Sequence, residues 1–200
     1  MITRKAISTI SYNSDSFLNA KLHDLIRQRY IDFYVYITHL PEDDELKEHK
    51  HLYIEPAKTI DTFWLQEQLR EPDLANPDMP PLGIIKCVPS KFADWYMYAL
   101  HDVDYLASKM ETRKYHYETE ELISSDVDTL REFIHTSDMS IWLKFRKFRD
   151  MVFAGVTFRE LVKNGFVPIQ QIKQYEYAYN IFTNRVVPNS TFRAGGTKHE

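Results

Sequence analysis

The stretch IDFYVYITHL, residues 31–40, restricts the fold more than any other part of the chain. It is dense in β-branched and aromatic side chains, and Ile31, Phe33, Val35 and Ile37 alternate with Asp32, Tyr34, Tyr36 and Thr38. A period of two belongs to a strand, because successive side chains of an extended backbone point to opposite faces. A second strand, HKHLYIEP at 49–56, follows an acidic connection and stops at Pro56. Upstream, KAISTISYN reads as a strand. SDSFLNAKLHDLIRQRY reads as a helix, with Ser/Asp cap chemistry and Phe17, Leu18, Leu22, Leu25 and Ile26 at helical spacing. Downstream, KTIDTFWLQEQLRE reads as a helix, PDLANPDMPPLG as a surface connection and GIIKCVP as a strand. SKFADWYMYALHDVDYLASKME reads as one long helix capped by Ser90. The order β-α-β-β-α-β-α predicts an α+β fold, an antiparallel sheet in a split βαβ arrangement of the RRM/ferredoxin-like kind. Helices are expected on one face, with the other free for a ligand.

Beyond about residue 120 the alternation stops. The rest reads as helices broken at Gly155 and at NGFVP, and TFRELVKNG carries a capping box with a glycine after it. These textures predict a domain over 1–122, a small all-helical domain over 123–187 and a tail over 188–200.

Composition narrows the function classes. The chain has 200 residues, enough for one sizeable core plus a small helical module. Its single cysteine, Cys87, excludes an internal disulfide framework and favours a reducing, cytoplasmic setting. No apolar run approaches the ~18–20 residues that span a bilayer, and the N-terminus lacks an apolar signal core, so no membrane role is expected. The net charge of −4 by itself speaks against a nucleic-acid partner. The acid is local, however: PEDDELKE lies directly before the paired histidines, and carboxylates beside imidazoles suit a divalent cation.

His49 and His51 stand two apart on a strand and therefore share a face, with Leu52 and Ile54 on the other. An antiparallel partner ending in THLPED brings His39, Glu42 or Asp43 close to them. On a helix wheel of residues 91–110, Phe92, Ala99, Val103, Leu106 and Met110 form the apolar stripe. Asp94, Tyr98, His101, Asp102, Tyr105 and Lys109 lie on the adjoining one, while Tyr96 falls in the apolar sector. A tyrosine near a metal can attack a phosphodiester. SKMETRKYHY interleaves Lys109, Arg113 and Lys114 with Tyr115 and Tyr117, a pattern that suits phosphates and stacked bases. In WLKFRKFRD, Trp142, Phe145 and Phe148 have core spacing, and Lys144, Arg146 and Lys147 are left for solvent or DNA. No Gly-rich phosphate loop, C-x-x-C pair or G-x-S-x-G occurs.

THLPED, HKHLYI, YMYALH and RKYHY, in this order over residues 30–117, resemble the HUH-endonuclease superfamily. They are most similar to the rolling-circle replication initiators (Rep) of small Gram-positive plasmids. The resemblance implies that His39, Glu42, His49 and His51 hold Mn²⁺ or Mg²⁺ and that Tyr98 is the nucleophile. The acidic position departs from the family's usual Asp in a shorter loop, so Asp43 is the alternative to Glu42; Tyr96 is the competing nucleophile. Lys50, Lys109, Arg113, Lys114 and Tyr115 are the expected DNA contacts. The implied function is nicking of origin DNA at a hairpin through a 5′-phosphotyrosyl link, followed by rejoining. The C-terminal helices would assemble a homo-oligomer, by analogy a hexameric ring. Two other readings stand beside this one. A non-enzymatic RRM-like nucleic-acid binder would use Tyr34, Tyr36 and Tyr53 as an aromatic platform on the open face. A conjugative relaxase, also HUH-type, would use three histidines and an N-terminal tyrosine, and the sequence around Tyr12 offers no comparable context.

Overall fold

Nine residues from Ile31 to His39 form the strand that organises the molecule (β3), and the alternation seen in the sequence buries it on both faces. The structure, a computed structural model, describes residues 1–41, 47–72, 84–89 and 91–184. In chain order come β1 (Ile2–Thr3), β2 (Ile7–Ser11), α1 (Asp15–Arg27), β3, β4 (His49–Pro56), β5 (Ile60–Asp61), α2 (Thr62–Gln68) and β6 (Ile84–Pro89). There follow α3 (Phe92–Ala99), α4 (Val103–Ser108), β7 (Ile123–Ser124), α5 (Val127–Thr136), α6 (Ser140–Phe153), α7 (Phe158–Lys163) and α8 (Ile172–Asn184). Five strands make one sheet in the order β6-β2-β4-β3-β7, every pairing antiparallel, and β1 with β5 makes a separate two-stranded ribbon. The fold is α+β.

One face of the sheet holds Ile7, Tyr34, Tyr36, Leu52 and Ile54 against Leu18, Leu22 and Leu25 of α1 and Leu65 of α2. The cap chemistry read from the sequence is present: the Ser14 side chain accepts from the Phe17 N–H, and Asp61 does the same for α2. Ile31 joins this face rather than that of Phe33. The β3–β4 register slips between the two residues, and one extra residue in a strand reverses the parity of what precedes it.

The opposite face is not open, contrary to the expectation. Phe33, Val35, Ile37 and Tyr53 are buried under Phe92, Trp95, Tyr96 and Ala99 of α3, with Leu130 and Phe133 of α5 beside them. The reason is visible in β3: both rows of its alternation are large and apolar, and a strand of that kind has to be covered twice. The aromatic platform is absent for the same reason. Tyr34 and Tyr36 are buried against α1, and Tyr53 is buried under α3 on the other side.

A third core holds the C-terminal helices together through Phe145, Phe148 and Val152 of α6, Leu161 of α7 and Tyr175, Ala178 and Phe182 of α8. The capping box of Thr157 and Glu160 starts α7, and Gly165 (φ +70°) follows its end. α4 also belongs to this core through Ala107, and an Arg149–Asp104 ion pair of 2.9 Å ties it to α6. β7 pairs with β3, and α5 sits on the sheet, so residues 123–136 pack with the sheet. Phe148 is fully buried among the rings of Phe145, Phe166, Tyr175 and Phe182. Phe148→Ala is expected to cost about 3–5 kcal/mol, measured by urea unfolding. No described helix is long and apolar enough to cross a membrane.

Candidate metal centre

Strand register brings the first histidines together. His39 is the last residue of β3 and lies opposite His49, the first of β4, while His51 lies opposite Ile37. The three rings therefore project from the same end of the α3-covered face. Ring centroids are 5.3 Å apart for His39 and His49, 4.3 Å for His39 and His51, and 5.1 Å for His49 and His51. Each offers one ring nitrogen, and these nitrogens lie within 4.8 Å of one another. All three residues are buried.

Backbone carbonyls hold two of the rings in place. His39 Nε2–H donates to the Ala99 carbonyl at 2.6 Å, which leaves Nδ1 with its lone pair. His49 Nδ1–H donates to the Lys47 carbonyl at 2.9 Å, which leaves Nε2 with its own. That Nε2 is 3.2 Å from Nε2 of His51. A metal-ligating histidine typically has its second nitrogen engaged in this way. Burial, reinforced by the neighbouring imidazoles, pushes His39 down to about 3 and His51 down to about 2. Both are neutral near pH 7, as ligands must be. Three converging, buried imidazoles form a cluster that could hold a metal ion. Glu42 and Asp43 lie outside the described residues.

α3 supplies the tyrosine, and here the long helix expected from the wheel is corrected. The helix ends at Ala99, and α4 starts anew at Val103 with Asp102 as its cap. Between them His101 takes a left-handed conformation (φ +52°). Its N–H donates to the Tyr98 carbonyl and that of Asp102 to the Met97 carbonyl, both at 3.0 Å. That is a Schellman stop built on a histidine instead of a glycine, at a backbone cost of roughly 1–2 kcal/mol. The break turns the His101 ring onto His39, with centroids 4.2 Å apart, and burial lowers His101 to about 4. Ser90, the expected cap, lies outside the described residues, and Lys91 occupies the cap position, its side chain accepting no capping bond.

Tyr98 lines one cavity with His39, His49, His51 and His101, and its ring centroid is 5.4 Å from that of His51. Tyr96 points into the second core, and its hydroxyl pairs with Thr119 Oγ1 at 2.7 Å. Arg113, expected as a DNA contact, reaches into the cavity instead: its Nη2 donates to Tyr98 Oη at 3.2 Å.

Lys50 is corrected. It stands between the two histidines, so strand parity turns it to the other face, where its buried Nζ meets Asp15 at 3.3 Å and Glu48 at 3.6 Å. Lys109 and Lys114 are exposed. Tyr115 is half-buried against the second core. Two residues of the cavity have no sequence signal of their own. Tyr12 sits just past β2 on the His face, with its ring 6.1 Å from His49. Ile10 lies opposite His51 in the register. No family model and no curated protein matches the chain.

Proposed function

We propose that the chain is an HUH-type nicking and joining nucleotidyltransferase, the initiator of rolling-circle replication of a plasmid, acting on one strand of origin DNA. One observation carries this reading: three buried imidazoles converge at a cavity into which a separate helix delivers a tyrosine. Buried imidazoles are a costly core filling, and a cation that they bind together offsets that cost.

A divalent cation on His39, His49 and His51 would place positive charge beside the scissile phosphate. The chain's own groups do the rest. Tyr98 Oη forms a bond to phosphorus, and the bond from phosphorus to the 3′ oxygen breaks. The proton lost by the phenol is returned to that oxygen through solvent. The chain remains joined to the 5′ phosphate, the free 3′-OH primes synthesis, and reversal rejoins the strand. Lys109 and Lys114 would meet backbone phosphates. The described donors are all nitrogens, which favours Mn²⁺ over Mg²⁺. Assembly of protomers through the C-terminal helices, by analogy into a hexameric ring, and action in the cytoplasm belong to the same proposal.

A relaxase-type reading gains from one observation: Tyr12, near the N-terminus, shares the cavity with the three histidines. Both readings are nickases and differ in the tyrosine used.

The test is nicking of a supercoiled plasmid library that displays random hairpin loops, with Mn²⁺. Relaxed circles are expected. A chelator should abolish them, and His51→Ala should lower the rate about a hundredfold or more. Nicking that survives the chelator would contradict the metal assignment.

A further inference from the structure

We propose that Tyr117 is a positioning residue of the metal centre, fixing the plane of the His39 ring so that its free nitrogen meets those of His49 and His51. The inference rests on the metal centre of the reading given above.

His49 and His51 share one strand, so their rings have a common frame. His39 comes from the neighbouring strand, and the convergence depends on how its ring is held. The bond from His39 Nε2–H to the Ala99 carbonyl fixes one atom of that ring. A ring held at one atom still swings about it, and Nδ1, the atom left for a metal, swings with it. Tyr117 removes that freedom. Its ring lies flat on His39, 4.6 Å between centroids and 2° between planes, the spacing of an offset stack. The other rings around His39 are tilted against it, by 68° for His49, 44° for His51 and 65° for His101. Of these four neighbours, Tyr117 alone sets a plane.

Tyr117 can do this because it is itself held on both sides of the site. Its residue is buried, its N–H donates to the Leu100 carbonyl at 3.0 Å, and its Oη accepts from the Leu40 N–H at 2.9 Å. Leu40 directly follows His39, so the hydroxyl grips the end of β3 while the ring covers the imidazole. The residues just before it are tied to the end of α3. His101 Nδ1–H donates to the Tyr115 carbonyl at 2.9 Å, and His116 Nδ1–H donates to the His101 carbonyl at 2.6 Å. The left-handed turn at His101 exposes the end of α3 to this strap, 113–117.

The lone pair of an imidazole nitrogen lies in the plane of the ring. Turning the plane therefore turns the lone pair away from the point where the other nitrogens aim. A ring stacked on the imidazole holds that plane without occupying either nitrogen. Partners that orient a metal ligand typically contribute ten- to a hundredfold in metal affinity.

The test titrates the full chain with Co²⁺, whose visible bands report the ligand geometry. Co²⁺ also binds imidazole more tightly than Mn²⁺, so weakened sites stay measurable. Tyr117→Leu, with Tyr117→Met as a second variant, should bind Co²⁺ about tenfold more weakly or worse, with displaced bands. Tyr117→Phe keeps the ring and should keep the parent's bands and most of its affinity. In a His39→Ala background there is no ring to orient, so Tyr117→Leu should cost no further affinity. A role in packing alone would cost the same in both backgrounds. Circular dichroism verifies that the variants are folded. Parent-like affinity and bands in folded Tyr117→Leu or Tyr117→Met overturn the inference. So does an equal loss in both backgrounds, or a Tyr117→Phe as impaired as Tyr117→Leu. If the parent itself binds no Co²⁺, the metal centre falls and the positioning role falls with it.

Discussion

Metal-free protein is expected to lose on the order of 3 kcal/mol of stability between pH 7 and pH 5. The loss comes from His39, His51 and His101, which burial holds at about 3, 2 and 4 against an ordinary 6.5. Above pH 6.5 these rings are neutral in both folded and unfolded chains. Below it the unfolded chain takes up protons that the folded one refuses, so stability falls as the pH drops towards the folded values. Each ring contributes up to about 1.4 kcal/mol per pH unit. Asp104 works in the opposite direction. Burial raises its carboxyl to about 7 although Arg149 lies 2.9 Å away, so below pH 7 the folded chain binds that proton first and gains stability. Glu55, also raised by burial, adds to the gain. The net slope is what three imidazoles leave after this opposition. Urea unfolding at each pH measures it. Asp104→Asn should steepen the loss, and Mn²⁺ should move it to lower pH because protons and metal compete for the same lone pairs. A stability flat from pH 7 to pH 5 with and without Asp104 would contradict the burial of neutral rings.

Tyr98→Phe is expected to abolish the covalent link to DNA and to lower strand nicking about 10³-fold or more. The substitution removes one oxygen, and the ring that faces His51 remains. Tyr96→Phe removes an equivalent oxygen two residues away with a different outcome. That hydroxyl is bound to Thr119 beside the second core, so its loss should cost about 1 kcal/mol of stability and leave the adduct intact. Gel-shift detection of protein-bound labelled DNA separates the two. An adduct that persists in Tyr98→Phe would move the role elsewhere.

The sequence made the sheet and the paired histidines legible because both depend on the strand period alone. Ile37, His39, His49 and His51 fall on one face by parity and pairing. The same parity already turns Lys50 away from the histidines, and its buried pairing with Asp15 and Glu48 follows from that alternation. The cover over the second face was also legible in β3, whose two rows are both bulky. Other features depend on the tertiary structure. A histidine in the left-handed region has no compositional mark, so the wheel ran straight through His101 where the chain turns. Tyr12 reaches the cavity only because β2 is the neighbour of β4, a matter of strand order. Arg113 is aimed by the latch of His116 and Tyr117 on the end of α3, and no spacing rule along the chain anticipates that latch.

The most direct test of the account is to locate the nucleotide on the chain. After reaction with a hairpin substrate and Mn²⁺, trypsin releases Tyr12 in peptide 6–21 and Tyr96 with Tyr98 in peptide 92–109. Fragmentation mass spectrometry should place the phosphodiester on Tyr98. An adduct on Tyr12, on Tyr96, or on no tyrosine at all would contradict the assignment.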